Sequence, residues 1–252
     1  MPEEYTAETY GERWAAVYDD WTAGLGFLID PESIASRLAD LAGDGRALEL
    51  AIGTGRVALP LSEMGVEVHG IDISGSMVAK LRAKPGGSDI PVTIGDFADV
   101  GVEGDFRLIY LVFNTIFALL TQEDQVRCFA NVAEHLTPDG AFVLEAFLPD
   151  LTRFDRGQRV ETLEVDVNGV VLLASKHDPA TQTIQVLQMR MDEGKPPATY
   201  PVKLRYCFPS ELDLMARLGG LRLRERTGGW DGEPYTGLNA RHVSVYELDP
   251  DA

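Results

Sequence analysis

Cysteine is nearly absent: Cys128 and Cys207 are the two in 252 residues. Two cysteines cannot build a disulfide framework, and neither has metal-ligand spacing. Both read as buried thiols, Cys128 on an expected helix and Cys207 at an expected strand end. No apolar run is long enough to span a bilayer, so no membrane partner is expected. Basic residues are scarce: 22 Lys plus Arg face 40 Asp plus Glu, a formal charge of -18. A nucleic-acid partner needs a basic face, so none is expected, and most of the acids read as serving solubility. Histidine occurs 4 times. No histidine combines with acids at metal-ligand spacing, so no metal is expected. The start, Met1-Pro-Glu-Glu-Tyr5, is acidic where a signal peptide would be basic and then apolar. The expectation is a cytoplasmic protein.

What is present is an ordinary hydrophobic content of 45% and a length that fits one α/β domain, with or without an insertion. The organising stretch is Leu48-Glu-Leu-Ala-Ile-Gly-Thr-Gly-Arg56. It reads as a buried strand over 47–51 running into a glycine turn that opens a helix. Gly53 and Gly55 permit close approach of a ligand, and the helix start presents free N–H groups. A second strand ends in Asp72, an acid able to accept from two ribose hydroxyls. A third, over 90–94, ends in Gly95-Asp96-Phe97. The apolar run 106–113 reads as a central parallel strand, with Phe113, Asn114 and Phe117 at its carboxyl end, where α/β sheets bind ligands. Asp30 is expected to cap a helix, Thr121 another, and Pro138-Asp-Gly140 to stop that second helix before a fifth strand over 141–148. Glu145 lies inside that strand, an unusual place for a charge, and reads as facing the crevice or the wet end.

The pattern changes at Pro149. Strand follows strand to Cys207, with Asn168-Gly169 as a hairpin turn, and the reading is an antiparallel insertion. A helix and two more strands close the chain. The division is therefore 1–148, 149–207 and 208–252. Within the insertion, alternation puts Leu187, Met189 and Met191 on one face and Val186, Gln188 and Arg190 on the other. The Met face suits packing or an adaptable apolar pocket. Arg190 and Arg205 are candidates for orienting a polar acceptor, or are solvated. The sheet is expected to roof an acceptor pocket or to serve a homodimer. At the start of the chain, Tyr10, Trp14, Tyr18 and Trp21 step by four, four and three, which places them on one helix face. Phe27 extends the aromatic series. The stripe reads as core packing, as a lid, or as both.

The glycine turn, the acid after strand two and the Asp-Phe after strand three together resemble the class I S-adenosylmethionine-dependent methyltransferases. The resemblance covers 45–148, and 208–248 more loosely. Ala51 stands where the family motif has its first glycine. The resemblance implies a doubly wound, seven-stranded, mostly parallel Rossmann-like sheet, here with the antiparallel insertion after strand five. It implies S-adenosylmethionine as cofactor and methyl transfer to an N or O nucleophile of a small-molecule acceptor, of the secondary-metabolite or amino-sugar type. The implied cofactor site is Tyr10, Trp14, Tyr18, Glu49, Ala51, Gly53, Gly55, Asp72, Ile73, Met77, Asp96, Phe97, Val112, Phe113 and Asn114. Phe117, Glu145, Arg190 and Arg205 are candidates for the acceptor, and Tyr18, His177 and Glu145 for catalysis. Gly53-x-Gly55-x-x-Ala58 also fits a dinucleotide fingerprint, so a nicotinamide-dependent oxidoreductase is the competing enzyme. A non-catalytic nucleoside-binding module is the competing non-enzyme.

Overall fold

The computed structural model describes residues 5, 7–24 and 30–251. The chain runs α1 (Ala7–Trp14), α2 (Tyr18–Gly24), α3 (Pro31–Ala42), β1 (Ala47–Leu50), α4 (Ala58–Glu63), β2 (Val68–Asp72), α5 (Gly75–Arg82), β3 (Val92–Ile94), β4 (Phe106–Leu111), α6 (Gln122–His135) and β5 (Leu136–Phe147). It continues through β6 (Gln158–Val165), β7 (Gly169–Asp178), β8 (Thr183–Asp192), β9 (Ala198–Arg205), α7 (Pro209–Leu218), β10 (Leu221–Thr227) and β11 (Arg241–Leu248). Seven strands form one sheet in the order β10-β11-β5-β4-β1-β2-β3, in which β11 is antiparallel to both neighbours. The doubly wound fold is present as expected.

Strand alternation builds the two cores. Leu48, Leu50, Ile109, Leu111, Phe142 and Leu144 face α6 and α7, against Cys128, Phe129, Val132, Leu212 and Met215. Ala47, Leu108, Tyr110, Val143 and Val245 face α3 and α4, against Ile34, Leu38, Ala58 and Leu61. Both cysteines are buried and free. Strands covered on both faces are nearly all apolar, which is why β1 and β4 read as continuous runs.

The insertion is a separate antiparallel sheet, β6-β7-β8-β9. Asp166 accepts from the backbone N–H groups of Asn168 and Gly169 and so fixes the first hairpin. The inward face is the one carrying Ile184, Val186 and Gln188, not the Met face. Ile184 and Gln188 are buried, whereas Leu187 and Met191 are exposed. Alternation defines two faces but not which one meets the core.

Three local expectations also need correction. Asp30 makes no side-chain cap bond. Strand β5 begins at Leu136, and Pro138-Asp-Gly140 lies in an irregularity of its pairing with β4 rather than before the strand. The aromatic stripe is not one helix, because the chain turns between α1 and α2. Phe27 lies outside the described residues. No helix among the described residues is long and apolar enough to cross a membrane.

Candidate active site

The glycine turn is held from below by Asp72. One carboxylate oxygen accepts from Gly53 N at 2.7 Å and the other from Ser74 N at 2.7 Å. Burial pushes its pKa up, and these two N–H groups oppose the shift. A carboxylate offers about four lone-pair sites, so acceptor capacity remains for ribose hydroxyls. Gly53 and Gly55 have φ of +59° and +78°, a region that suits glycine. Ala51 shares the region with φ of +54°. Ser74 Oγ caps α5 through Met77 N. Asp96 Oδ1 accepts from Ala98 N and so caps its own loop, while the residue is exposed. The Phe97 ring is packed in the core, which leaves its backbone N–H as its polar offer to a ligand. Ile73 follows Asp72 in the same turn, half-buried.

Beyond the turn, a depression of about 340 Å³, part of it open to solvent, is lined by Tyr18, Glu49, Ala51, Gly53, Arg56, Val112, Phe113 and Thr115, among others. Glu49 is buried and accepts from Tyr110 Oη at 3.0 Å. Burial pushes its pKa up to about 8, against the opposing pull of the Tyr110 hydrogen bond and the Arg56 charge. The Arg56 guanidinium lies 5.0 Å from the centre of the Phe113 ring, and it makes no ion pair among the described residues. A buried carboxylate and an unpaired guanidinium in one pocket match the ammonium and carboxylate of an amino-acid end. Burial pushes the Tyr18 phenol up to about 12 although Arg56 pulls it down, so Tyr18 stays neutral at neutral pH.

The wall formed by Phe113 and Asn114 is a strained turn. Both have positive φ, 59° and 65°, and such outliers persist only where the surroundings hold them. Glu145 Oε2 accepts from Phe113 N at 3.0 Å, and Asn114 Oδ1 accepts from Phe147 N at 2.6 Å.

Over this wall sits the aromatic cluster of α1 and α2. Trp14 is buried at its centre, 5.7 Å from the Tyr10 ring, 4.7 Å from Trp21 and 5.0 Å from Tyr200 of β9. Trp21 reaches Phe113 edge-on at 6.4 Å. Met77 joins the same cluster from α5. Gly11 lets α1 approach α5 closely, since a Cβ there would meet Ser74 Oγ at 2.2 Å. A polar latch ties α2 to the glycine turn. Asp19 accepts from Thr54 Oγ1 at 2.6 Å, and Lys84 Nζ reaches Asp19 at 2.9 Å and the Thr54 carbonyl at 2.8 Å.

Several expected site residues are engaged elsewhere. Glu145 is no free base in the crevice: its carboxylate holds Phe113 N and Arg241. His177 is bonded to Tyr206 Oη and stacked on Phe154, in line with Ile184 and Leu204. Arg205 is buried and bonded to Gln125, Gln182 and Glu211. Arg190 is exposed and paired with Asp192. Phe117 is fully buried, edge-on to Phe147. Asn114 spends its side-chain oxygen on the backbone. Sequence reading passed over Arg56, Thr54, Thr115 and Lys84. Only Arg56 carried a signal, a cation set directly in the glycine turn.

The comparisons agree with this geometry. A family described as a methyltransferase domain matches residues 47–140. The cypemycin N-terminal methyltransferase of a Streptomyces species is 30% identical over 207 residues, 81% of this chain and 84% of the relative. A dTDP-4-amino-2,3,4,6-tetradeoxy-D-glucose N,N-dimethyltransferase from Saccharopolyspora spinosa is 28% identical over 58% of this chain and 59% of its own. The solved CcbJ methyltransferase from Streptomyces caelestis is 39% identical, with a TM-score of 0.91 over 97% of this chain and 99% of that one. Neither the oxidoreductase nor the non-catalytic reading is favoured by these likenesses. The chain belongs to the class I S-adenosylmethionine-dependent methyltransferases, and S-adenosylmethionine is its methyl donor.

Proposed function

We propose that the acceptor is a small molecule and that the atom methylated is an amine nitrogen. The observation that carries this reading is the lack of a free base among the expected catalytic residues. Glu145 and His177 are occupied, and Tyr18 is a neutral phenol with its pKa near 12. A hydroxyl needs a base to become nucleophilic, whereas an unprotonated amine already carries its lone pair. Among the curated relatives, one is named an N,N-dimethyltransferase and another an N-terminal methyltransferase. When bound, S-adenosylmethionine supplies an electrophilic methyl on a sulfonium. The chain's residues then align and exclude water. On this reading Glu49 and Arg56 hold the amino-acid end, and Asp72, Asp96 and the Phe97 N–H hold the nucleoside. Tyr10, Tyr18 and Trp21 close over the donor.

In the same reading, 1–148 and 208–252 bind the cofactor, and 149–207 roofs the acceptor in a cytoplasmic enzyme. A homodimer through the outer face of the insertion is part of it, because Val160, Val165, Leu187 and Met191 are exposed there. The test is product mass and fragmentation after incubation with labelled S-adenosylmethionine and a panel of amines and hydroxyl compounds. N-methyl products are expected; products methylated only on oxygen overturn the nitrogen assignment.

A further inference from the structure

Register runs in rows across the insertion sheet. One inward row joins Leu173, Gln188 and Tyr200, and Tyr200 is the residue that meets Trp14 of the lid. The next inward row joins Ser175, Val186 and Val202. Val186 packs on the core that contains Phe117, and Val202 on the cluster that contains Tyr10 and Tyr18. Gln188 therefore sits where the roof spans from the end of the crevice to the lid. It is 5% exposed. Its carboxamide makes no hydrogen bond among the described residues, and its neighbours in the row are a leucine and a tyrosine ring. The sealed polar atoms without a partner among the described residues are Trp230 Nε1 and His242 Nε2, so the Gln188 amide tip, unbonded on the inward face, keeps its small exposure and is open to a ligand. In an otherwise apolar pocket, a few placed polar groups set ligand orientation.

We propose that Gln188 is a specificity-determining contact of the acceptor site. Its carboxamide, two donors and one acceptor group, hydrogen-bonds an amide or hydroxyl that the acceptor carries beside its reacting amine. This rests on the methyl-transfer reading above. Arg190 and Arg205, the polar residues singled out from sequence, are engaged internally, whereas Gln188 is not.

The test uses Gln188→Leu and Gln188→Asn in the full chain. Probes are free amino sugars, short peptide amides with a free N-terminus, and sugar alcohols. Binding is followed by tryptophan fluorescence in the presence of S-adenosylhomocysteine, because Trp14 borders the row. Turnover is measured on the probe that binds wild type most tightly. Leaving the acceptor's polar group unpaired should raise its KM and Kd in Gln188→Leu by roughly tenfold or more. The value of kcat should stay within about threefold and the affinity for S-adenosylmethionine should stay unchanged, because the reacting atoms and the cofactor cradle are untouched. Gln188→Asn should recover part of the loss. Unchanged acceptor affinity in Gln188→Leu overturns the proposal, as does an equal loss of cofactor affinity. So does a marked fall in melting temperature, which would reveal an internal partner. The nitrogen assignment fails separately: if wild type methylates only the sugar alcohols, that reading falls, and the Gln188 comparison is made on those alcohols.

Discussion

Glu49 is a buried acid in a pocket that also holds a cation. Its pKa is pushed from 4.5 to about 8 by burial, so the free enzyme carries it mostly protonated at neutral pH. An ammonium placed against it favours the carboxylate. Binding of S-adenosylmethionine should therefore release a proton below pH 8, and affinity should rise from pH 6 to 8 and then level. Calorimetry in two buffers of different protonation enthalpy measures that proton, and Glu49→Gln should abolish it. Proton release persisting in Glu49→Gln would assign it to another group. The sign for stability is opposite. Between pH 4.5 and 8 the folded chain binds more protons here than the unfolded chain, so this acid's contribution falls as pH rises across that window. Ala51 offers a second test at this scale. Its φ of +54° costs an L-residue roughly 1–2 kcal/mol, while glycine loses about 0.5–1 kcal/mol through its freer unfolded state. Ala51→Gly should gain up to about 1 kcal/mol, or about 2–4 °C in Tm for a chain of this size. A clear loss would mean that the methyl group's packing outweighs the strain. Both residues were legible, one as the motif acid and the other as the missing glycine. Arg56 was legible only as a cation in the glycine turn; its place over Phe113 comes from the fold.

The aromatic cluster of α1 and α2 shows what spacing can and cannot say about an element. Steps of four, four and three brought Tyr10, Trp14, Tyr18 and Trp21 together correctly as a cluster. The break between α1 and α2 was missed, because contacts with Tyr200 and Met77 hold the aromatics in place without one continuous helix. The latch was invisible, since Lys84 lies on a different element from Asp19. Burial pushes the Asp19 pKa up, but the bonds from Lys84 and Thr54 outweigh it and hold it low. The pair is part-exposed, at 30% and 44% for the two side chains, and such pairs contribute about 0.2–1 kcal/mol. Lys84→Met should therefore change global stability little, yet release α2. Hydrogen exchange should speed up across residues 18–24 in the absence of cofactor, while β1 and β4 keep their protection. Equal acceleration in the strands would place Lys84 in the stability of the whole sheet, not in the docking of α2.

At the scale of the molecule, the alternation of strand and helix to residue 148 and the switch to strands after it gave the architecture directly. Periodicity reports which positions share a face. It does not report which face turns inward, and this is why the Met face was left between packing and a pocket and Glu145 between the crevice and the wet end. The correction has a consequence for assembly. Val160, Ala174, Leu187 and Pro201 form one row on the outward face, and Thr162, Leu172, Met189 and Thr199 the next. Val160 is 70% and Leu187 37% exposed. A row of this kind, continuous across four strands, is what a second copy can cover. It lies on the side of the sheet opposite Gln188 and Tyr200, so the proposed assembly and the proposed acceptor contact can be tested independently. Val160→Lys with Leu187→Lys should convert a dimer to a monomer by light scattering. Because side chains on opposite faces of a strand do not touch, the same variant should keep its affinity for S-adenosylmethionine and its turnover of the wild-type acceptor. If wild type is already a monomer, the interface reading falls and the roof stands. If the lysine variant is monomeric and inactive, the two faces are coupled, and the acceptor site then depends on the second copy.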